Sequence, residues 1–155
     1  MYNYDFYECI CSICNRLRRL ESLIGQDLAQ GMQATVIGGR KLLSSGEILP
    51  FDTIVTNQTS FLSLNTTTGE FTTTKAGNYL VLYYVNIDGT DANTEVAFSV
   101  NGIKSQAVSA VQGQMSGFAL LTLSPGATIS ISNTSGQTVA ISGTDIQAGI
   151  TIISL

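Results

Sequence analysis

One stretch of the sequence, Tyr79-Leu80-Val81-Leu82-Tyr83-Tyr84-Val85, is apolar at every position. A strand in a sheet with one solvated face alternates apolar and polar residues instead. We therefore predict a strand that needs cover on both of its faces. When its odd-numbered residues enter the core of the domain, Leu80, Leu82 and Tyr84 emerge on the opposite face.

Two other segments repeat this pattern. Phe118-Ala119-Leu120-Leu121 and Ile150-Thr151-Ile152-Ile153 are also largely apolar where a half-buried strand would alternate. Together the three segments predict a contiguous apolar outer face, and such faces usually mark interfaces between molecules. We expect an obligate oligomer. The alternative is that an N-terminal helix covers this face within one chain.

Short β-branched segments make up the rest of the sequence from about residue 46 onward. They are separated by Gly, Asn, Asp and Pro, a pattern typical of antiparallel β-sandwiches and barrels. Pairs such as Asn101-Gly102 and Ser135-Gly136 form tight turns with little strain. Two packed sheets are indicated, with predicted strands at 48–56, 60–64, 69–73, 77–87, 94–100, 103–111, 114–123, 127–132, 137–141 and 145–154.

Composition and charge exclude several classes of function. The 155 residues are 44% hydrophobic and 12% charged, which suits one domain with a sizeable core. The absence of histidine excludes mechanisms that use imidazole as a base or metal ligand. The formal net charge is −4, and only Lys75 and Lys104 are basic beyond residue 42, which argues against nucleic-acid binding. No apolar run approaches the ~18 residues of a membrane-spanning helix, so we expect no membrane insertion.

The apolar residues in the N-terminal part of the chain recur with a different period. Apolar residues recur at spacings of three and four across residues 8–32, which predicts a helix. Some of them fit alternate a and d positions of a short coiled-coil seam, which would help the chain to oligomerise. The alternative is an amphipathic helix that lies on its own domain. The seam residues are Ile13, Leu17, Leu20 and Ile24.

A change of composition near residue 40 divides the chain. Gly38-Gly39 predicts a hinge between the helical part and the β-rich part. We predict a cysteine-bearing connector, helical or extended, over residues 1–41 and a head domain over residues 42–155. The first ten residues contain no basic segment followed by an apolar stretch, so we expect synthesis in the cytosol without a secretory signal.

Cys9, Cys11 and Cys14 are the only cysteines and lie close together in the sequence. A structural zinc site needs four ligands, whereas one chain supplies three thiols and no imidazole. A catalytic cysteine would need a neighbouring base, and no histidine is available. We expect the odd number of thiols to form disulfides between subunits. The alternatives are reduced buried thiols and a metal ion shared between chains.

The carboxylates give only weak indications of a metal site or of catalysis. Asp88, Asp91 and Glu95 lack the spacing of a calcium-binding loop and are interpreted as an acidic turn. Asp52 with a second carboxylate would make a glycosidase pair only in desolvated surroundings, which nothing in the sequence indicates. We therefore expect no catalytic residue, no metal and no cofactor.

Ordered motifs across residues 46–155 resemble the trimeric jelly roll shared by the globular heads of the first complement component and by tumour necrosis factor. The resemblance implies an all-β antiparallel jelly-roll sandwich of about ten strands that packs as a homotrimer. It also implies that the subunit interface contains Leu80, Leu82, Tyr84, Phe118 and Leu120. The motifs are Phe51-Asp52-Thr53-Ile54-Val55-Thr56-Asn57, Thr68-Gly69-Glu70-Phe71-Thr72, Ala76-Gly77-Asn78-Tyr79-Leu80-Val81, Leu121-Thr122-Leu123-Ser124-Pro125-Gly126-Ala127-Thr128-Ile129 and Ala148-Gly149-Ile150-Thr151-Ile152-Ile153-Ser154-Leu155.

The amino-acid composition, which is poor in Lys and rich in Thr, Ser and Ala, is most similar to that of a bacterial branch of the superfamily. This branch comprises the C-terminal heads of collagen-like exosporium glycoproteins of the BclA type and spore-appendage subunits. Such a resemblance implies a structural protein of the spore surface, made in the mother cell and joined head to tail into a fibre or layer. The chain lacks the Gly-X-Y repeat of a collagen stalk, so its stalk would be short.

The partners implied by this resemblance are further copies of the chain, as a homotrimer and then a filament, and an anchor protein of the spore coat or exosporium. The alternative function is a trimeric head that binds a receptor or a glycan, such as a phage fibre tip or a lectin-like spore protein.

Overall fold

The computed structural model describes Asn15 and residues 30–88, 94–110, 113–143 and 145–155. Among these residues, no helix has the length and hydrophobicity needed to cross a membrane. The described strands belong to two antiparallel sheets. They are β1 (Gln30–Ile37), β2 (Lys41–Leu43), β3 (Thr53–Asn57), β4 (Leu62–Asn65), β5 (Glu70–Thr73), β6 (Gly77–Ile87), β7 (Thr94–Val100), β8 (Ile103–Ala110), β9 (Gly113–Leu123), β10 (Thr128–Asn133), β11 (Val139–Ile141) and β12 (Ile146–Ser154).

The first sheet has seven strands in the order β2-β11-β6-β12-β1-β3, and β9 also pairs with β6. Strand β6 pairs with β9 along its whole length, from Gly77 opposite Leu123 to Ile87 opposite Gly113. It also pairs with β12 from Tyr79 to Val85. The apolar stretch of residues 79–85 therefore lies at the centre of this sheet.

The second sheet has five strands in the order β4-β5-β10-β7-β8. Next to β10, the residues before Pro50 continue the ladder, because Ile48 forms an isolated bridge with Ser132. The backbone N–H of Leu49 also donates to the carbonyl of Ile131, at 2.7 Å. This arrangement brings Leu49 and Phe51 into the core.

The core lies between the two sheets and is filled by alternate residues of their strands. Tyr83 of the first sheet stacks on Phe98 of the second, with ring centroids 6.4 Å apart. The hydroxyl of Tyr79 donates to the carbonyl of Lys75 at 2.7 Å and lies 2.8 Å from Thr73 Oγ1. The largest side chains that are almost completely buried are Tyr79, Phe51, Phe71, Phe98, Met32, Leu43, Leu49, Met115, Ile129, Ile131, Ile141 and Ile150.

The all-β jelly-roll prediction is confirmed. Each of the ten predicted strand regions overlaps an observed strand, and β6 and β7 have the predicted bounds. The two predicted turns at Asn101-Gly102 and Ser135-Gly136 are present, because Asn101, Gly102 and Gly136 have positive φ angles.

The N-terminal predictions need a correction where the structure describes them. Residues 30–32 were expected to end a helix, but they begin strand β1, which pairs with both β12 and β3. The reason is that Met32, Ala34 and Val36 alternate with Gln33 and Thr35, and this period of two fills the core.

The predicted hinge and the predicted domain boundary also differ from the structure, because β1 belongs to the same sheet as β2. Gly38-Gly39 is a bend between β1 and β2, two strands of one sheet, and the boundary predicted between residues 41 and 42 falls inside β2. The sheet therefore includes residues from Gln30 onward. The rest of the connector, apart from Asn15, lies outside the described residues.

Candidate functional site

The outer face of the first sheet is the surface that points away from the core. It is built from alternate residues of β1, β12, β6 and β9, because side chains on a strand alternate between the two faces. The strand register places these residues in three rows across the four strands. The rows are Gly31, Ile153, Leu80 and Leu120; Gln33, Thr151, Leu82 and Phe118; and Thr35, Gly149, Tyr84 and Ser116.

The structure brings together all five residues that were predicted to form the subunit interface. Leu80, Leu82 and Tyr84 lie on β6, and Phe118 and Leu120 lie beside them on β9. Leu82 is 41% exposed, Phe118 64% and Leu120 68%, whereas Leu80 and Tyr84 are half-buried. Their position on one exposed face is therefore a structural fact, and their role in an interface stays a prediction.

The three rows contain no charged residue. Most of the charged side chains that the structure describes lie on other strands and in turns, where several form ion pairs. Arg40 pairs with Asp88 at 2.7 Å, and Lys41 pairs with Asp52 at 3.0 Å. Depletion of charge around exposed apolar residues is the composition of an interface core. The outer face thus has the chemistry of a surface that another protein surface covers.

This face has a ridge and a depression. The ridge is formed by Phe118 and Leu120, its most exposed apolar residues, on β9, which pairs only with β6. The depression has a volume of about 520 Å³ and spans the four strands, with Gln33, Leu82 and Thr151 among its lining residues.

Gly149 helps to shape the depression. A Cβ atom at Gly149 would lie 2.5 Å from Cε1 of Tyr84, so the absence of a side chain allows the tyrosine ring to lie close to the backbone of β12. The sequence did not reveal this contact, because it depends on the register between β6 and β12. No local signal would have found it.

Polar side chains border the apolar rows at both ends of β6. At one end, Asn86 Nδ2 donates to the carbonyl of Ile146 at 3.0 Å, and Gln114 Nε2 donates to Asn86 Oδ1 at 3.1 Å. At the other end, Thr122 Oγ1 donates to Asn78 Oδ1 at 2.9 Å. An apolar centre with a hydrogen-bonded polar rim is the usual anatomy of a protein interface. Sequence reasoning missed these rim residues.

Two described carboxylates, Asp52 and Glu95, have lowered pKa values. Burial favours a raised pKa for Asp52, but hydrogen bonds from Lys41, Thr53 and the Ile37 backbone N–H outweigh it and lower that pKa. The pKa of Glu95 is also lowered, by hydrogen bonds from Lys104 and Thr134. Both groups are therefore ionised at neutral pH. Within the described ranges, no three His, Cys, Asp or Glu side chains are grouped so as to hold a metal ion.

Several predicted site residues lie outside the described residues. They are the cross-linking cysteines, the helical seam and one member of the acidic turn. The residues concerned are Cys9, Cys11, Cys14, Ile13, Leu17, Leu20, Ile24 and Asp91.

Comparison with known proteins agrees with this architecture. No curated protein matches the sequence. The structure is similar to Eiger, a tumour necrosis factor from S. frugiperda, at 13% identity and a TM-score of 0.60, covering 82% of this chain and 92% of that one. It is similar to murine APRIL at 10% identity and a TM-score of 0.62, covering 83% and 100%. These likenesses show the fold alone.

A third similar structure is the globular domain of the zebrafish complement 1qA protein. The identity is 14% and the TM-score 0.58, and the match covers 81% of this chain and 95% of that one. In sequence, the C1q domain profile matches residues 34–149, which is most of the chain. The chain belongs to the C1q domain family.

Proposed function

We propose that this protein is a structural subunit that forms homotrimers through the outer face of its first sheet. The observation that carries the proposal is the uncharged apolar centre of that face, where Leu82, Phe118 and Leu120 remain exposed in a single chain. Removing such a surface from water favours association, and it must outweigh the translational, rotational and side-chain freedom that the subunits lose.

The fold family supports this proposal. Domains of the C1q and tumour necrosis factor type are typically trimeric, and they are generally non-enzymatic ligand-binding or structural proteins. The proposal applies this general property to the particular residues that the chain exposes.

We propose a ring in preference to a two-fold dimer, because domains of this family are typically trimeric. The ridge of Phe118 and Leu120 borders the depression, since Phe118 is also one of its lining residues, and in a ring this ridge would contact a different surface of the next copy. Such a contact between unlike surfaces closes into a ring when its rotation permits. A protruding aromatic side chain in a neighbour's pocket is also the usual form of an interface anchor.

A substitution on the ridge tests the trimer. We expect the full chain to have the mass of three copies by light scattering under reducing conditions, and Phe118→Asp to have the mass of one, because it places a charge in the apolar contact. Ile103→Asp is the matched control, since Ile103 is 74% exposed on β8 of the other sheet and should leave three copies. A trimeric Phe118→Asp protein, or a monomeric wild type, would contradict the proposal.

We further propose that the trimers join through residues 1–29 into a fibre or layer on a spore surface, with an anchor protein of the coat or exosporium as a second partner. Strand β1 begins at Gln30, opposite Ser154 of β12, so this segment meets the domain at the end that carries Leu155. Three segments would then leave a trimer at one end. Joining that end to the opposite end of the next trimer is a contact that propagates without closing.

The cysteine cluster supports a covalent version of this joint. Cys9, Cys11 and Cys14 all belong to the segment that precedes β1, and the rest of the chain contains no cysteine. Disulfides formed there would link one copy to another. The spore location rests on the resemblance of the Thr-, Ser- and Ala-rich composition to that of bacterial spore-surface heads.

A further inference from the structure

Asn101 and Gly102 form the turn between β7 and β8 on the second sheet. They are the only Asn-Gly pair in the chain, and both residues are exposed. Their φ angles are +51° and +73°, and the ladder next to them ends with Val100 opposite Ile103, so they make a tight two-residue loop. The loop places a side-chain amide beside a backbone N–H that no side chain shields.

The nitrogen of Gly102 is an accessible nucleophile. A backbone nitrogen can attack the side-chain amide carbon of the asparagine that precedes it, which closes a succinimide ring and releases ammonia. Glycine hinders this attack least, because it has no Cβ atom. The surroundings of Gly102 also leave room, since an added Cβ atom would meet no atom within 4 Å.

The side chain of Asn101 is held by β10. The backbone N–H of Thr128 donates to Asn101 Oδ1 at 2.9 Å, and the backbone N–H of Asn101 donates to the carbonyl of Thr128 at 2.9 Å. Only the oxygen of an amide accepts from an N–H, so this bond fixes which branch of the side chain faces β10. The amide nitrogen, which would leave in the reaction, is the other branch of this exposed side chain.

The same hydrogen bond polarises the carbon under attack. When the Gly102 nitrogen adds to Asn101 Cγ, negative charge develops on Oδ1, and the Thr128 N–H already points at that oxygen. A backbone donor aimed at a developing oxyanion stabilises such a transition state. Among the described residues, the N–H of Gly102 has no hydrogen-bond acceptor, so its proton can pass to water. The turn thus combines a free nucleophile with an activated amide.

We infer that Asn101 is a self-modifying site, which converts to aspartate and isoaspartate in the folded protein. The bond from Gly102 N to Asn101 Cγ forms, the bond from Cγ to Nδ2 breaks, and the proton of Gly102 leaves with that nitrogen as ammonia. Water then opens the succinimide at either of its two carbonyls. The conversion is redox-neutral and consumes only water.

The two products act differently on the hairpin. Aspartate keeps its side-chain oxygen and still accepts from the Thr128 N–H. Isoaspartate inserts a methylene group into the main chain, and a two-residue loop cannot absorb it without disturbing the pair of Val100 and Ile103. Strand β8 pairs only with β7 among the described strands, so β8 is the element that loosens. The inference does not depend on the proposed trimer, whose contact face belongs to the first sheet.

Mass spectrometry of the full chain tests the site. After incubation of the folded protein in mildly alkaline buffer, the tryptic peptide of residues 76–104 should carry the mass change of an amide-to-acid conversion at Asn101. Asn78 and Asn86 belong to the same peptide and are internal controls, because each lies in β6 before a bulky residue and should keep its amide. An Asn101 that stays unchanged in the folded chain would overturn the inference, above all when a urea-unfolded sample converts.

Two variants test the roles of the neighbouring groups. Thr128→Pro removes the donor N–H at the first residue of β10, a position where strands accept proline. Its conversion in the folded state should be about tenfold slower than that of the wild type, because a hydrogen bond to a developing charge is lost. Unfolded samples of both chains should convert equally. Equal rates in the folded samples would exclude activation by Thr128.

Gly102→Ala is the second variant and leaves Thr128 in place. Its added Cβ atom projects into open space, so the hairpin should still form, as circular dichroism can verify. Conversion at Asn101 should slow in both the folded and the unfolded chain, because the Cβ atom hinders the attacking nitrogen. A rate equal to that of the wild type would mean that the Gly102 nitrogen is not the nucleophile, and the inference would be overturned.

Discussion

Gly69 shows how closely the backbone packs at a single residue. Its φ is +76°, and a Cβ atom there would lie 2.1 Å from the carbonyl oxygen of Leu49, a distance that only glycine avoids. The residue follows a turn in which its N–H donates to the carbonyl of Asn65 at 2.8 Å. Gly69 therefore lets the segment before β3 approach the start of β5.

Replacing Gly69 with alanine should destabilise the domain strongly. The positive φ alone costs a non-glycine residue about 1 to 2 kcal/mol, and displacing the backbone at Leu49 adds to that cost. Gly136→Ala is the matched control, because Gly136 has a φ of +77° but no atom within 4 Å of its added Cβ. Urea unfolding should show that Gly69→Ala lowers the free energy of unfolding at least twice as much as Gly136→Ala does. Equal losses of stability would mean that the close approach of Gly69 to the Leu49 carbonyl does not contribute to the effect.

Strand β1 belongs to the β domain, although the sequence predicted that this domain begins only at residue 42. It lies between β12 and β3 and buries Met32, Ala34 and Val36 almost completely. Each of the two larger side chains contributes about 1.5 to 3 kcal/mol when buried. A domain stable by about 5 to 15 kcal/mol cannot lose this strand and its two ladders without consequence.

Truncation tests that role of β1. A chain of residues 30–155 should be soluble and unfold cooperatively on heating, as followed by circular dichroism. A chain of residues 42–155 should aggregate or remain unfolded, because the edge of β12 and the core beneath β1 become exposed. A well-folded product that begins at residue 42 would show that the head is independent of β1.

The elements also show what could be predicted from the sequence. Most strands were predictable, because each contains a local period of two or an apolar run between turn residues. The residues that share the outer face were predictable too, since alternation along β6 and β9 determines which side chains emerge together. Strand β1 was missed because a helical period precedes it and its own alternation is short. The depression was missed because it arises from Tyr84 against Gly149, a contact set by pairing across the sheet.

In the whole molecule, the proposed trimer would depend on apolar contact through the outer face, and the proposed joint between trimers would depend on disulfides in the N-terminal segment. Gels without reductant should show a ladder of multimers for the wild type, and the variant with Cys9, Cys11 and Cys14 changed to Ser should lose it. Light scattering should still give three copies for that variant, because the outer face is unaffected. A ladder that survives the substitutions would exclude sulfur as the joint, and discrete trimers without any ladder would favour the receptor- or glycan-binding alternative.

The outer face has a further consequence for the conditions under which an assembly would last. Its three rows contain neither carboxylate nor amine, so contact through them involves no ion pair that salt could screen. Apolar contact weakens in the cold, and salts that are excluded from the protein surface strengthen it. An assembly held together in this way would keep its cohesion at high salt concentration, and low temperature would be the stress that loosens it first.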